Sequence, residues 1–157
     1  MNTLVLGIGN TILSDEGVGV HVLDALAKEV LPDEVTLLDG GTLSFTLAGP
    51  IQDHDALIVV DATNLQLPAG SVRVFAGEEM DAFLVHNRKS SVHEVGLTDL
   101  RAIALLAGHW PERRVLVGIQ PQKLDWGEVP TPEVAAAIPV ACSEILKILK
   151  NWEAHPQ

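Results

Sequence analysis

Cysteine is nearly absent. Cys142 is the only one, so no internal disulfide can form. It falls at the helical spacing of Val134, Ile138, Ile145 and Leu149, which makes it a small core residue rather than a reactive thiol. Basic residues are also scarce: 10 Lys and Arg stand against 21 Asp and Glu, for a net charge of −11. Such a chain repels phosphate backbones and anionic lipid surfaces, which argues against nucleic acid and membrane, and it suits a cation or a basic partner segment. No apolar run is long enough to cross a bilayer. Met1-Asn2-Thr3 lacks the basic region of a signal peptide, and the apolar run behind it stops at Gly7, so a cytoplasmic location is expected. Repeats and low-complexity stretches are missing too.

What remains is an ordinary globular composition. The 157 residues are 47% hydrophobic and 20% charged, which predicts one domain over 1–157 with one core. Apolar runs at Thr3 to Ile8, Val35 to Leu38, Ala56 to Val60 and Val115 to Ile119 read as buried strands. Between them lie helical patterns. The first starts at Gly17, with apolar positions at 18, 22, 25, 26 and 30, and closes at Pro32. A turn at Asp39-Gly40-Gly41-Thr42 leads into a helix ending at Ile51. Another helix runs from His93 to Ala107, with Leu97, Leu100, Ile103, Ala104 and Ala107 on one face, after a polar loop at Arg88 to Val92. The last opens at Thr131-Pro132-Glu133, a capping hydroxyl, a proline and an acid, and Pro139 predicts a kink in it. Val72, Val74 and Ala76 alternate with Ser71, Arg73 and Phe75 as an edge strand, which no helix separates from the strand before it, so it can run antiparallel. The pattern is α/β: a mostly parallel sheet with helices on both faces, the first and third strands as central neighbours, and ligands beyond the carboxyl ends of the strands.

Gly7-Ile8-Gly9 after a first strand invites a dinucleotide reading, with Asp39 as the ribose acid. It fails because the third glycine would be Ile12, and because Asp15 and Glu16 stand where a pyrophosphate needs bare amides. No Walker lysine motif occurs in the first 40 residues, so no nucleotide is expected. Asp15 reads best as an acid offsetting the dipole and capping the amides of the helix it precedes. Three other residues share one rim. Glu16 follows the first strand, Asp61 ends the third, and His93 stands at the start of a helix, where protonated imidazole is disfavoured. Two carboxylates and one imidazole suit a divalent transition metal and leave coordination positions open. No Cys or His pair is available for a closed site. Of the other histidines, His21 lies off the apolar positions of its helix, His54 belongs at the opposite edge, and only His86 can substitute for His93. No serine sits in a nucleophile elbow.

Six segments then occur in a telling order: Gly7-Ile8-Gly9-Asn10, Asp15-Glu16-Gly17-Val18-Gly19, Asp39-Gly40-Gly41-Thr42, Asp61-Ala62, His93-Glu94-Val95-Gly96-Leu97 and Gly118-Ile119-Gln120-Pro121. In this order they resemble the hydrogenase maturation endopeptidases, from Leu4 to the end of the last helix. The resemblance implies a three-layer α/β/α sandwich with a five-stranded mixed sheet, the strand at about 71–76 antiparallel. It implies an enzyme that removes the C-terminal extension of a nickel-iron hydrogenase large-subunit precursor after nickel insertion. Glu16, Asp61 and His93 map onto the family's metal ligands. The metal is then nickel presented by the precursor, and the free enzyme holds no metal tightly. The Gly40-Gly41 turn, with Asp39, can bring backbone close to the tail. Two other readings use the same residues: a nickel-delivery or metal-sensing module that does not cut, and a metal-independent acid peptidase working through Asp15 or Asp61. The segment from Gly77 to Ser91 matches the family least.

Overall fold

The computed structural model describes residues 1–41, 45–86, 97–122 and 124–157. Among them, five strands make one sheet: β1 (Thr3–Ile8), β2 (Val35–Gly41), β3 (Ala56–Ala62), β4 (Val72–Ala76) and β5 (Arg113–Ile119), in the order β2-β1-β3-β5-β4. All pairings are parallel except β4 with β5. β1 and β3 are central neighbours, and β4 is an antiparallel edge, as its alternation and the missing crossover helix predict. Every residue of β1 and β3 is buried, because helices cover both faces, and this is why their sequences are continuous apolar runs.

Strand alternation divides the core. Val5, Ile58, Val60, Val115 and Val117 face α1 (Val18–Leu26) and α5 (Pro132–Ala154). Leu4, Leu6, Leu57, Val59 and Leu116 face α2 (Ala48–Gln52), α3 (Glu78–His86) and α4 (Leu97–Leu106). The result is a three-layer α/β/α arrangement. No helix among the described residues is long and apolar enough to cross a membrane.

The elements differ from the sequence pattern in three places. α1 stops at Leu26, and Val30 is 96% exposed, so the apolar spacing overran the helix by a turn. β2 continues through Asp39 and Gly40 to Gly41, where a turn was expected, because Ile8 of β1 pairs with Gly41 across a register shift. α3 was not foreseen. Only Met80 and Leu84 of it are buried, too short a stripe to register as periodic. Its first turn carries Glu78, Glu79 and Asp81, which suit the positive end of the helix dipole. The last helix, α5, carries Pro139 in its interior, where the sequence has it.

Candidate active site

The site is assembled by two close backbone approaches. β1 and β3 end side by side, with Gly7 opposite Val60. After β1 the chain enters a 3₁₀ turn, Ser14–Gly17, that packs against β3. Gly9 has φ +139°, and a Cβ there would lie 1.9 Å from the carbonyl oxygen of Glu16. Only glycine lets the Glu16 backbone rest on the end of β1. At Gly19, in the first turn of α1, a Cβ would lie 2.4 Å from the carbonyl oxygens of both Ile8 and Val60. The start of α1 is therefore seated across both strand ends, and the next residue of β3 is Asp61. The glycine pattern that imitates a dinucleotide loop serves this seating instead.

Asp61 is buried, 5% exposed, and lies opposite Gly118 of β5. Alternation along β3 puts it on the same face as Leu57 and Val59, the face covered by α2 to α4. Glu16 is half-buried. His93 lies outside the described residues, as do Thr42 and the expected loop at Arg88 to Val92. The first described residue after His93 is Leu97, which opens α4. α4 touches the 3₁₀ turn Phe45–Leu47 that follows the carboxyl end of β2. Beyond its far end, the ring Nε2 of His109 meets the His54 carbonyl at 2.8 Å, at the amino end of β3. α4 thus descends from the carboxyl edge to the amino edge. Among the described residues, no three His, Cys, Asp or Glu side chains form a metal-holding group.

The other predicted residues divide clearly. Asp39 Oδ1 accepts the Gly41 N–H at 2.8 Å, and the Gly9 N–H donates to the Gly41 carbonyl at 2.9 Å, so the end of β2 lies beside Gly9 on the carboxyl edge. His54 belongs to the amino edge, as expected, and His86 is exposed at the end of α3. Cys142 is buried in α5, its Sγ 3.7 Å from the Val22 carbonyl, and burial together with the charge of Glu29 pushes its thiol up from 9.0.

Asp15 is a structural acid, but not for its own helix. It is fully buried. Its Oδ2 accepts the Gln122 N–H at 2.8 Å, its Oδ1 accepts the Thr131 N–H at 2.7 Å, and the Thr131 hydroxyl donates to it as well. Thr131 is the N-cap of α5, yet its hydroxyl goes to Asp15 rather than to a helix amide. A second residue missed in the sequence is Gln120. Its Oε1 accepts the Leu65 N–H at 2.6 Å and so holds the segment that follows Asp61. The only signal for it was its place after the glycine of Gly118-Ile119-Gln120-Pro121.

The architecture is that of a maturation endopeptidase. The chain matches the hydrogenase maturating endopeptidase HybD of Escherichia coli at 36% identity and a TM-score of 0.85, over 96% of this chain and 93% of that one. The model of the hydrogenase maturation protease family matches residues 20–148. The chain is 40% identical to the hydrogenase expression/formation protein HupD of Rhizobium leguminosarum bv. viciae, over 95% of this chain and 74% of that protein. It is 37% identical to the hydrogenase 2 maturation protease of E. coli K12, over 96% and 92%. The chain belongs to the hydrogenase maturation protease family and is a hydrolase.

Proposed function

We propose that this protein is the endopeptidase that removes the C-terminal extension of a nickel-iron hydrogenase large-subunit precursor after nickel insertion, and that it recognises the precursor's nickel through Glu16, Asp61 and His93. It meets its substrate in the cytoplasm. The observation that carries the reading is the seating of the Glu16 backbone on the end of β1 at Gly9 and of α1 across the ends of β1 and β3 at Gly19. That seating puts the Glu16 backbone at the carboxyl edge where β3 ends in Asp61-Ala62, and the face of β3 that bears Asp61 is the one α4 covers. His93 stands four positions before Leu97, where α4 starts at that same edge.

Nickel here is part of the substrate. Bound to the precursor, it supplies a Lewis acid near the scissile carbonyl. The protein's own contribution is geometric and protonic. Glu16, Asp61 and His93 engage the metal and fix the tail relative to the edge, and positioning of this kind removes much of an activation barrier. One of the two carboxylates takes the proton of the attacking water. The end of β2 at Asp39, Gly40 and Gly41 lies beside Gly9 and borders the path of the tail. Asp15 is not the base, because its two oxygens already accept hydrogen bonds in a fully buried position.

The test is to mix the protein with nickel-loaded and nickel-free precursor and weigh the products. Trimming of the loaded form alone is expected, with loss of trimming in His93→Ala and Glu16→Gln and none in His86→Ala. Equal trimming of both forms would point to a metal-independent acid peptidase. Nickel transfer without a mass change would point to a delivery module.

A further inference from the structure

The loop between β5 and α5 exposes three large apolar side chains to solvent. Leu124, Trp126 and Val129 are 52%, 75% and 74% exposed, and Ile12, on the loop after β1, is 45% exposed. Hydrogen bonds join the two loops into one surface. The Gly127 N–H donates to the Ile12 carbonyl at 2.9 Å, the Ser14 N–H to the Gly127 carbonyl at 2.7 Å, and the Ser14 hydroxyl to the Asp125 carbonyl at 2.8 Å. Leu13 and Gly127 form a parallel bridge. Asp15 grips the chain at both Gln122 and Thr131. A tryptophan displayed to water on a segment tied down at both ends and in the middle contributes little to the core. Large apolar side chains exposed together on two joined loops mark an interaction site.

We propose that this strip, Ile12 with Leu124, Trp126 and Val129, is the docking surface for the hydrogenase precursor, and that it takes an apolar segment flanked by Lys or Arg. The assignment rests on the peptidase reading above. Two observations choose the occupant. The strip is continuous with the site, since the Glu16 N–H donates to the Leu13 carbonyl at 3.0 Å. Its charge selects a basic partner: the exposed acids Asp125 and Glu128 interleave with the apolar side chains on a chain of net charge −11, so a second copy of this chain is repelled. The clamp at Asp15 orders the loop in advance, which spares that cost on binding. Tryptophan is also among the side chains that most often anchor interfaces.

The probe is purified nickel-loaded hydrogenase large-subunit precursor, with binding followed by interferometry and cleavage by mass spectrometry. Trp126→Ala is expected to weaken binding by at least roughly tenfold and to raise KM far more than it lowers kcat. Trp126→Phe retains most of the affinity. Leu106→Ala, a 75% exposed residue at the end of α4 nearest the amino edge, has no effect. Because Trp126 is exposed, its variants keep the wild-type melting curve. The proposal is overturned if Trp126→Ala binds the precursor like the wild type, if the wild type does not bind it, or if sedimentation shows that Trp126 serves only to pair two copies. Binding that depends on Trp126 without any cleavage would uphold the docking surface and defeat the peptidase reading. Cleavage with an unchanged KM in Trp126→Ala would do the reverse.

Discussion

Asp15 and Glu16 are adjacent in the chain and have different surroundings. Glu16 is half-buried on the carboxyl edge, whereas Asp15 points into the protein and closes off amides of Gln122 and Thr131. Asp15→Ala leaves those two N–H groups and the Thr131 hydroxyl without their acceptor. Hydrogen bonds to a charged group contribute about 1.5–3 kcal/mol each, with strong non-additivity, so a loss of about 3 kcal/mol is expected, read as a lower urea midpoint. Removal of a true general base lowers kcat by about 10²–10⁴. In Asp15→Ala, kcat on saturating precursor should instead persist in the folded fraction. A collapse of kcat at an unchanged midpoint would restore Asp15 to the chemistry. The sequence offered Asp15 as an acid for the helix it precedes. It did not show which amides the acid would serve, because those lie more than a hundred positions away in the chain.

At the scale of elements, α3 is held to the sheet by three hydrogen bonds to Asp81 as well as by Met80 and Leu84. Arg114 Nη2 lies 2.6 Å from Asp81 Oδ2, Arg114 Nε donates to Oδ1 at 2.9 Å, and the Trp110 indole N–H donates to the same oxygen at 3.0 Å. Burial works against the charge on Asp81, but the hydrogen bonds from Arg114 and Trp110, and the charges of Arg114 and Arg101, outweigh it and hold the carboxyl below its ordinary 3.8. Its folded value is therefore lower than its unfolded value. The stability it contributes is complete above the ordinary carboxylate range and is lost as pH falls through the depressed value. Asp81→Asn is expected to cost about 1–3 kcal/mol at neutral pH, since the Arg114 fork loses its partner. The gap from wild type should shrink below pH 3.8, the ordinary value. Urea unfolding of both proteins at neutral and acid pH measures it, and a gap independent of pH would show that the pair contributes nothing through its charge.

At the scale of the whole molecule, Asp61 at the end of β3 and Glu16 on the turn after β1 lie at the carboxyl edge, and with His93 before α4 they are the proposed donors. An open set of two carboxylates and one imidazole has no closed shell, so the isolated protein is expected to bind nickel only weakly by isothermal titration. Stoichiometric nickel that survives dialysis would favour a resident metal over one brought by the precursor. The same edge continues into the Trp126 strip, so metal recognition and docking are offered to a partner from one side.

The sequence by itself determined the layered α/β plan. Periodicity is set by local backbone geometry, and burial on both faces leaves continuous apolar runs such as Leu57 to Val60. It also opened the way to an antiparallel edge at Val72–Ala76, since a short connection leaves no room for a crossover helix. The candidate acids Glu16 and Asp61 were legible for a similar reason: in a parallel sheet, the ends of central strands lie together. Only the tertiary structure decided what depends on contacts between distant segments. The glycines of the first loop bring Glu16 onto β1 and α1 onto Val60. Asp15 is committed to the start of α5, Gln120 to the segment after Asp61, and Trp126 is left in solvent beside Ile12. None of these follows from local spacing, because each depends on which backbone amide or carbonyl the folded chain brings within about 3 Å, the reach of a hydrogen bond.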